Sequence, residues 1–128
     1  MRLLVDSHAL IWYVDQDSLL SPASHSAITD PSNDLLLSAG SIWEIAIKVG
    51  IGKLALSQQY RVWITQAMSD LGMSLLPITI EHADAYAGLP RLHGDPFDRL
   101  LVAQAMVEQV SIVSADANLD AYGITRLW

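Results

Sequence analysis

The stretch His93-Gly94-Asp95-Pro96-Phe97-Asp98-Arg99-Leu100-Leu101-Val102-Ala103-Gln104-Ala105 is a loop that turns into a helix and delivers an acid at the turn. Asp95 has the chemistry of an N-cap. Pro96 suits the first helical position, because proline lacks the amide proton that goes unpaired there. Asp98 falls at the third helical position, where a side chain can reach back to the cap. The residues after it, Leu100, Leu101, Val102, Ala103 and Ala105, are too apolar all round for a surface helix. The helix is therefore expected to be largely buried, with its opening acid near a sheet edge. On local grounds alone, Asp98 needs only to steady the helix start through the macrodipole and the capping box.

Moving outward, Leu3-Leu4-Val5 and Leu35-Leu36-Leu37 are short unbroken apolar runs, as is most of 110–113. Such runs fit strands buried on both faces. A short helix is expected over 8–14, and another from Pro22 to about 29 behind the cap Ser21. Ser41-Ile42-Trp43-Glu44 matches a capping box, opening a helix that Gly50 and Gly52 end. Ser57 is the expected cap of an amphipathic helix running to Leu71. Val62, Ile64, Ala67, Met68 and Leu71 should face inward, and Gly72 is the stop. Residues 74–78 read as a short strand whose Pro77 argues for an edge position or a strand end. Residues 79–87 read as a helix, Asp116 precedes a short helix to Tyr122, and 124–127 close with a strand. The order β-α-α-β-α-α-β-α-α-β-α-β predicts an α/β fold. This is a three-layer α/β/α sandwich around a mainly parallel sheet of four to five strands. No repeat or linker interrupts it, so residues 1–128 are expected to form a single domain.

The chain has no cysteine, which removes disulfides, thiolate metal sites and a cysteine nucleophile. No apolar run approaches the ~20 residues of a membrane helix. Asp6 comes too early for a signal peptide. A soluble, cytoplasmic protein with no membrane partner is the expectation. A net charge of −7, with only seven Lys and Arg, argues against simple electrostatic binding of nucleic acid. Either divalent cations neutralise gathered acids, or the basic residues collect on one face.

Four carboxylates share one context. Asp6 ends the first strand, and Glu44 opens the helix after the second. Asp98 opens the buried helix, and Asp116 follows the strand at Ile112-Val113. The carboxyl ends of parallel strands lie along one edge, where ligands bind. These acids, distant in sequence, are therefore expected to converge. Singly, Asp6 and Asp116 serve as turn or cap residues, and Glu44 as the end of its capping box. Together they repel, so one or more should be a weakened acid unless something positive sits among them. No lysine is an obvious counter-charge. Mg²⁺ or Mn²⁺ is, because hard cations take oxygen ligands. Such a cation makes water a nucleophile near neutral pH and steadies charge on phosphate. The four histidines are scattered, with no metal-ligand spacing. His93 reads as a polar loop residue within reach of a substrate. Trp12, Trp43 and Trp63 read as core or interface packing residues.

With these residues in hand, the chain resembles PIN-domain proteins, specifically toxins of the VapC type from bacterial toxin–antitoxin pairs. Four marks in order carry the likeness, and they span nearly the whole chain. They are Leu3-Leu4-Val5-Asp6-Ser7-His8-Ala9-Leu10-Ile11-Trp12; Ser38-Ala39-Gly40-Ser41-Ile42-Trp43-Glu44-Ile45-Ala46-Ile47-Lys48; residues 89–105; and Val113-Ser114-Ala115-Asp116. The resemblance implies a PIN-like fold and a Mg²⁺- or Mn²⁺-dependent endoribonuclease that hydrolyses RNA phosphodiester bonds. It also implies a small VapB-like antitoxin as inhibitor, and a homodimer. Asp6, Glu44 and Asp98 match the family's three regular acids, and Asp116 the more variable fourth. Asp6, Asp98 and Asp116 would hold metal, and Glu44 would bind metal or orient the attacking water. Asp95 is then a cap or stands behind the site. Ser114 keeps a hydroxyl where the family often has threonine. Arg99, Lys48 and Ser114 are candidate phosphate contacts.

Two other readings fit less of the chain. One is a catalytically inactive PIN-like binding module, suggested by the acidic balance. The other is a phosphoryl-transfer domain of the receiver or phosphatase kind, which also places an aspartate after a first strand. That class relies on a late lysine, and none follows Lys53.

Overall fold

Leu3, Leu4 and Val5 are fully buried because the strand they form is central and both its faces are covered. The computed structural model describes residues 1–128. Its strands are β1 (Arg2–Val5), β2 (Asp34–Ser38), β3 (Ser74–Leu76), β4 (Ser111–Val113) and β5 (Arg126–Leu127). They form one sheet in the order β3-β2-β1-β4-β5, and every pair is parallel. The helices are α1 (Ser7–Val14), α2 (Pro22–Thr29), α3 (Ala39–Gly50), α4 (Tyr60–Leu71), α5 (Ile80–Ala87) and α6 (Pro96–Glu108), with a 3₁₀ helix at Ala117–Tyr122.

Alternation along the strands builds two cores. Leu3, Val5, Leu35 and Leu37 point to one face, against Leu10 of α1, Ile28 of α2, Ile45 of α3, and Trp63 and Ile64 of α4. Leu4, Leu36 and Ile112 point to the other, against Leu101 and Val102 of α6 and Leu119 and Tyr122 of the 3₁₀ helix. The result is the three-layer α/β/α sandwich. Residues 101–105 of α6 are all buried, as the missing polar face of that helix predicts.

The chain builds the sheet outward from β1 to β2 and β3, then crosses back to add β4 and β5 on the other side. The carboxyl ends of β1 and β4 thus flank the point where strand order reverses. In parallel sheets this is the natural crevice for a ligand. The Asp6 amide donates to the Val113 carbonyl at 3.1 Å and holds the two ends together.

Two helix starts differ from the sequence reading. The start of α3 lies three residues earlier, with Ser38 rather than Ser41 as its cap; the Ser38 hydroxyl accepts from the Gly40 amide at 3.0 Å. Strand β2 runs into the helix without a loop, so its last residue takes the cap. Glu44 then sits one turn inside the helix, and no capping box occupies it. The start of α4 is at Tyr60, behind Gln59 and without a side-chain cap, instead of behind Ser57. Tyr60 is tied to α3 by its hydroxyl, which donates to the Ile42 carbonyl at 3.0 Å. The inward face of α4 is set by Trp63, Ile64 and Ala67, while Val62 is exposed. Burying the large indole outweighs burying one valine.

Candidate active site

Three aspartates stand at this crevice, and each commits its oxygens differently. Asp6 caps α1, its Oδ1 accepting from the amides of His8 at 2.7 Å and Ala9 at 3.1 Å. Its Oδ2 accepts from the Ser114 hydroxyl at 2.6 Å. Ser114 follows β4, and its oxygen also accepts from the Asp116 amide at 3.1 Å. Asp116 caps the 3₁₀ helix through Oδ1, which accepts from the Asn118 amide at 3.0 Å. Its Oδ2 turns to the His93 ring, 3.3 Å from Nε2. Asp98 spends neither oxygen on backbone, and its Oδ2 lies 3.5 Å from the same His93 Nε2.

A displaced capping box frees Asp98. Asp95 caps α6 as expected, its Oδ1 accepting from Phe97 and Asp98 amides at 2.8 and 3.3 Å. In a capping box the Asp98 side chain would return to the Asp95 amide. Here that amide donates to His93 Nδ1 at 3.0 Å instead. Asp98 is left to face the crevice. Because Nδ1 accepts, the ring proton belongs on Nε2, between the Asp98 and Asp116 carboxylates. Ligand atoms of His93, Asp98 and Asp116 all lie within 4.8 Å of one another. Asp6 and Glu44 stand outside that tight group.

Glu44 is buried beside α1. Its Oε1 accepts from the Ser7 hydroxyl at 2.8 Å, and its Oε2 from the Lys48 ammonium at 3.0 Å. Ser7 directly follows Asp6, which joins Glu44 to the same end of β1. Sequence spacing alone marks no lysine among the acids. Lys48 is that lysine, four residues along α3 from Glu44, so it is first a counter-ion and not a free phosphate contact. Ser114 is a second correction. It is fully buried with its hydroxyl donated to Asp6, so it positions that carboxylate and does not reach a phosphate. Arg99 is a third. Its guanidinium turns away from the acids, donating to the Pro90 carbonyl at 2.8 Å and the Tyr122 hydroxyl at 3.4 Å.

His93, expected as a polar loop residue within reach of a substrate, instead bridges two of the acids. Its signal was a place two residues before an Asp-Pro cap, from which an imidazole reaches the cap's amide.

Crowding shows in one acid. Burial pushes the Asp98 carboxyl up to about 7, and the charges of Asp95, Asp6 and Asp116 add to this while His93 opposes it. The ionised form is disfavoured in the fold. Its contribution to stability is therefore present at low pH and lost as pH rises through about 7. A rise from 3.8 to about 7 is worth at most ~4 kcal/mol, and water at a partly exposed site brings it nearer ~2 kcal/mol. Metal-free protein is thus expected to lose stability relative to Asp98→Asn between about pH 4 and pH 7, with no further change above that. Paired urea melts measure it, and a constant difference across that range contradicts it.

Ser114→Ala gives a second expected outcome. It strips Asp6 Oδ2 of its hydroxyl donor and the Asp116 amide of its acceptor in a buried place. The expected cost is about 1–3 kcal/mol, read as a lower urea midpoint. An unchanged midpoint would show that water replaces the hydroxyl.

Residues 3–124 match the family model described as PIN domain. Among solved structures, the chain is similar to VapBC2 from Rickettsia felis bound to a DNA fragment from their promoter. The identity is 12% and the TM-score 0.72, covering 98% of this chain and 97% of that one. It is also similar to VapBC-1 from nontypeable Haemophilus influenzae, at 14% identity and a TM-score of 0.63, covering 98% and 96%. FitAcB from Neisseria gonorrhoeae follows at 17% identity and a TM-score of 0.60, covering 97% and 95%. At these identities the likeness is one of fold. No curated protein matches the chain in sequence.

Proposed function

Because the chain belongs to the PIN domain family, we propose that it is a Mg²⁺- or Mn²⁺-dependent endoribonuclease and the toxin of a VapC-type toxin–antitoxin pair. One observation carries this reading. Asp98, free of backbone bonds and crowded by Asp6, Asp95 and Asp116, holds its proton up to about 7. A cation in the crevice relieves that repulsion, and the donor set of carboxylate oxygens is the one hard divalent ions prefer. The residues therefore fit the ion.

Asp98 and Asp116 would hold the metal, with Asp6 behind them, anchored by Ser114. When bound, the ion supplies charge stabilisation to phosphate oxygens and acidifies the water it holds. The protein's own groups do the rest. Glu44, fixed by Ser7 and Lys48, orients the water that attacks phosphorus. His93 holds the Asp98 and Asp116 carboxylates at a set spacing through Nε2–H. The capped ends of α1 and α6 fix the acids on rigid elements, so little rearrangement accompanies the reaction.

Structured RNAs incubated with Mn²⁺ or Mg²⁺ should be cut, and EDTA should stop it. Intact RNA under both metals would overturn the reading in favour of an inactive binding module. We read residues 1–128 as a single PIN-like domain acting in the cytoplasm. A small VapB-like antitoxin is the proposed inhibitor, and a homodimer the proposed assembly. Similarity to VapBC and FitAcB structures supports a protein partner. So does an exposed stripe at four-residue spacing, Trp43 and Ile47 on α3 and Ile51 just past its end. No helix is long and apolar enough to cross a membrane.

A further inference from the structure

An acidic protein that cuts RNA must hold the strand somewhere, and its few cations show where. Of the seven Lys and Arg, Arg2 pairs with Glu108, Lys48 with Glu44 and Arg126 with Asp120. Lys53, Arg61, Arg91 and Arg99 have no carboxylate partner. Two of these four, Arg91 and Arg99, share one cleft. It has a volume of about 460 Å³ and is lined by Tyr86, Arg91, Leu92, His93, Gly94 and Arg99, with no carboxylate among them.

His93 joins this cleft to the acids. The residue lines the cleft, and its Nε2 meets Asp98 and Asp116. Arg99 is the residue after Asp98 on α6. Its guanidinium lies over the Tyr86 ring, 5.1 Å from the centroid, and is held there by the Pro90 carbonyl. A planar cation fixed this way has little freedom to lose when it meets a phosphate or the face of a base. Arg91 is exposed and makes no hydrogen bond or ion pair, so its charge is free for a ligand.

We propose that this cleft binds the stretch of RNA backbone next to the bond that is cut, with Arg91 and Arg99 on its phosphates. The proposal rests on the nuclease reading of the acids. It adds the path of the strand, which leaves the carboxylates past His93 and crosses the loop before α6. Two cations without carboxylate partners in one cleft also give a chain of net charge −7 a place to take a polyanion.

The test separates binding from cutting. A fluorescein-labelled, unstructured single-stranded RNA of mixed sequence is titrated with full-length Asp98→Asn protein, with and without Arg91→Ala or Arg99→Gln. Fluorescence anisotropy is read across a salt series. Each arginine change is expected to weaken binding by about threefold to tenfold, and to flatten the slope of log affinity against log salt by ~0.7. Arg91 makes no internal bond, so Arg91→Ala carries the test even if Arg99→Gln lowers the melting temperature. Binding with affinity and slope unchanged in Arg91→Ala would overturn the cleft and leave the nuclease reading standing. Flattened slopes, with no cleavage by the parent in Mn²⁺, would keep the cleft and overturn the nuclease reading. Absence of any RNA binding at low salt would overturn the cleft outright, and cleavage by the parent would then decide the nuclease reading separately.

Discussion

Asp98→Asn is expected to lower RNA cleavage by on the order of 10³ while the variant melts at a higher temperature than the parent at pH above about 7. The two effects have one cause. Changing a group that merely orients a metal ligand costs 10- to 100-fold, so losing the charge of a ligand itself should cost more. The same charge is disfavoured in the metal-free fold, because burial and three neighbouring carboxylates oppose it. Asparagine keeps the shape and removes the repulsion. The start of α6 stays intact, since its cap bonds come from Asp95. A functional site held against its own stability gives this opposite pair of signs. Gel assays of cleavage and thermal melts on one preparation measure both. Cleavage at the parental rate would remove Asp98 from the chemistry. A lower melting temperature would show that its carboxylate is satisfied without a cation.

Asp6 carries the second large effect, and two variants split its duties. Asp6→Ala should cost about 2–3 kcal/mol, the sum of a lost helix cap and a buried Ser114 hydroxyl left without its acceptor. Asp6→Asn keeps an oxygen for the His8 and Ala9 amides, and asparagine caps as well as aspartate. Its stability should stay within about 1 kcal/mol of the parent. Cleavage, however, should fall in both variants by on the order of 10² or more, because both lose the negative charge behind the crevice. Urea melts with a cleavage assay read the four quantities. If Asp6→Asn cut RNA like the parent, Asp6 would be a helix cap and nothing further.

The strands were legible because a parallel sheet covered on both faces demands unbroken apolar runs. Leu3-Leu4-Val5 and Leu35-Leu36-Leu37 have no other use. Pro96 and Asp95 fixed the start of α6 for equally local reasons. The helix starts at Ser41 and Ser57 were misread because each choice was settled by packing. Ser38 is brought to the end of β2 by the sheet, and Tyr60 is tied to α3 by its hydroxyl. The places of the acids were legible, since Asp6, Asp98 and Asp116 each stand at or next to the start of an element. His93 and Lys48 were not, because what each does depends on a partner chosen by side-chain geometry. His93 takes the amide that a capping box would have given to Asp98. Lys48 takes Glu44, which only becomes clear once α3 begins at Ala39 and no cap claims the glutamate. Ser114 was misassigned for the opposite reason. A hydroxyl beside four acids looks available, but full burial under β4 commits it to Asp6.

Isothermal titration of Mn²⁺ into the metal-free protein, repeated in buffers of different ionisation enthalpy, bears most directly on the central claim. Asp98 and its neighbours should bind the ion saturably at about pH 6.5, release a fraction of a proton that shrinks as pH rises above about 7, and lose most of this affinity in Asp98→Asn. No measurable heat, or binding equal in the parent and Asp98→Asn, would contradict the account and leave these carboxylates as helix caps.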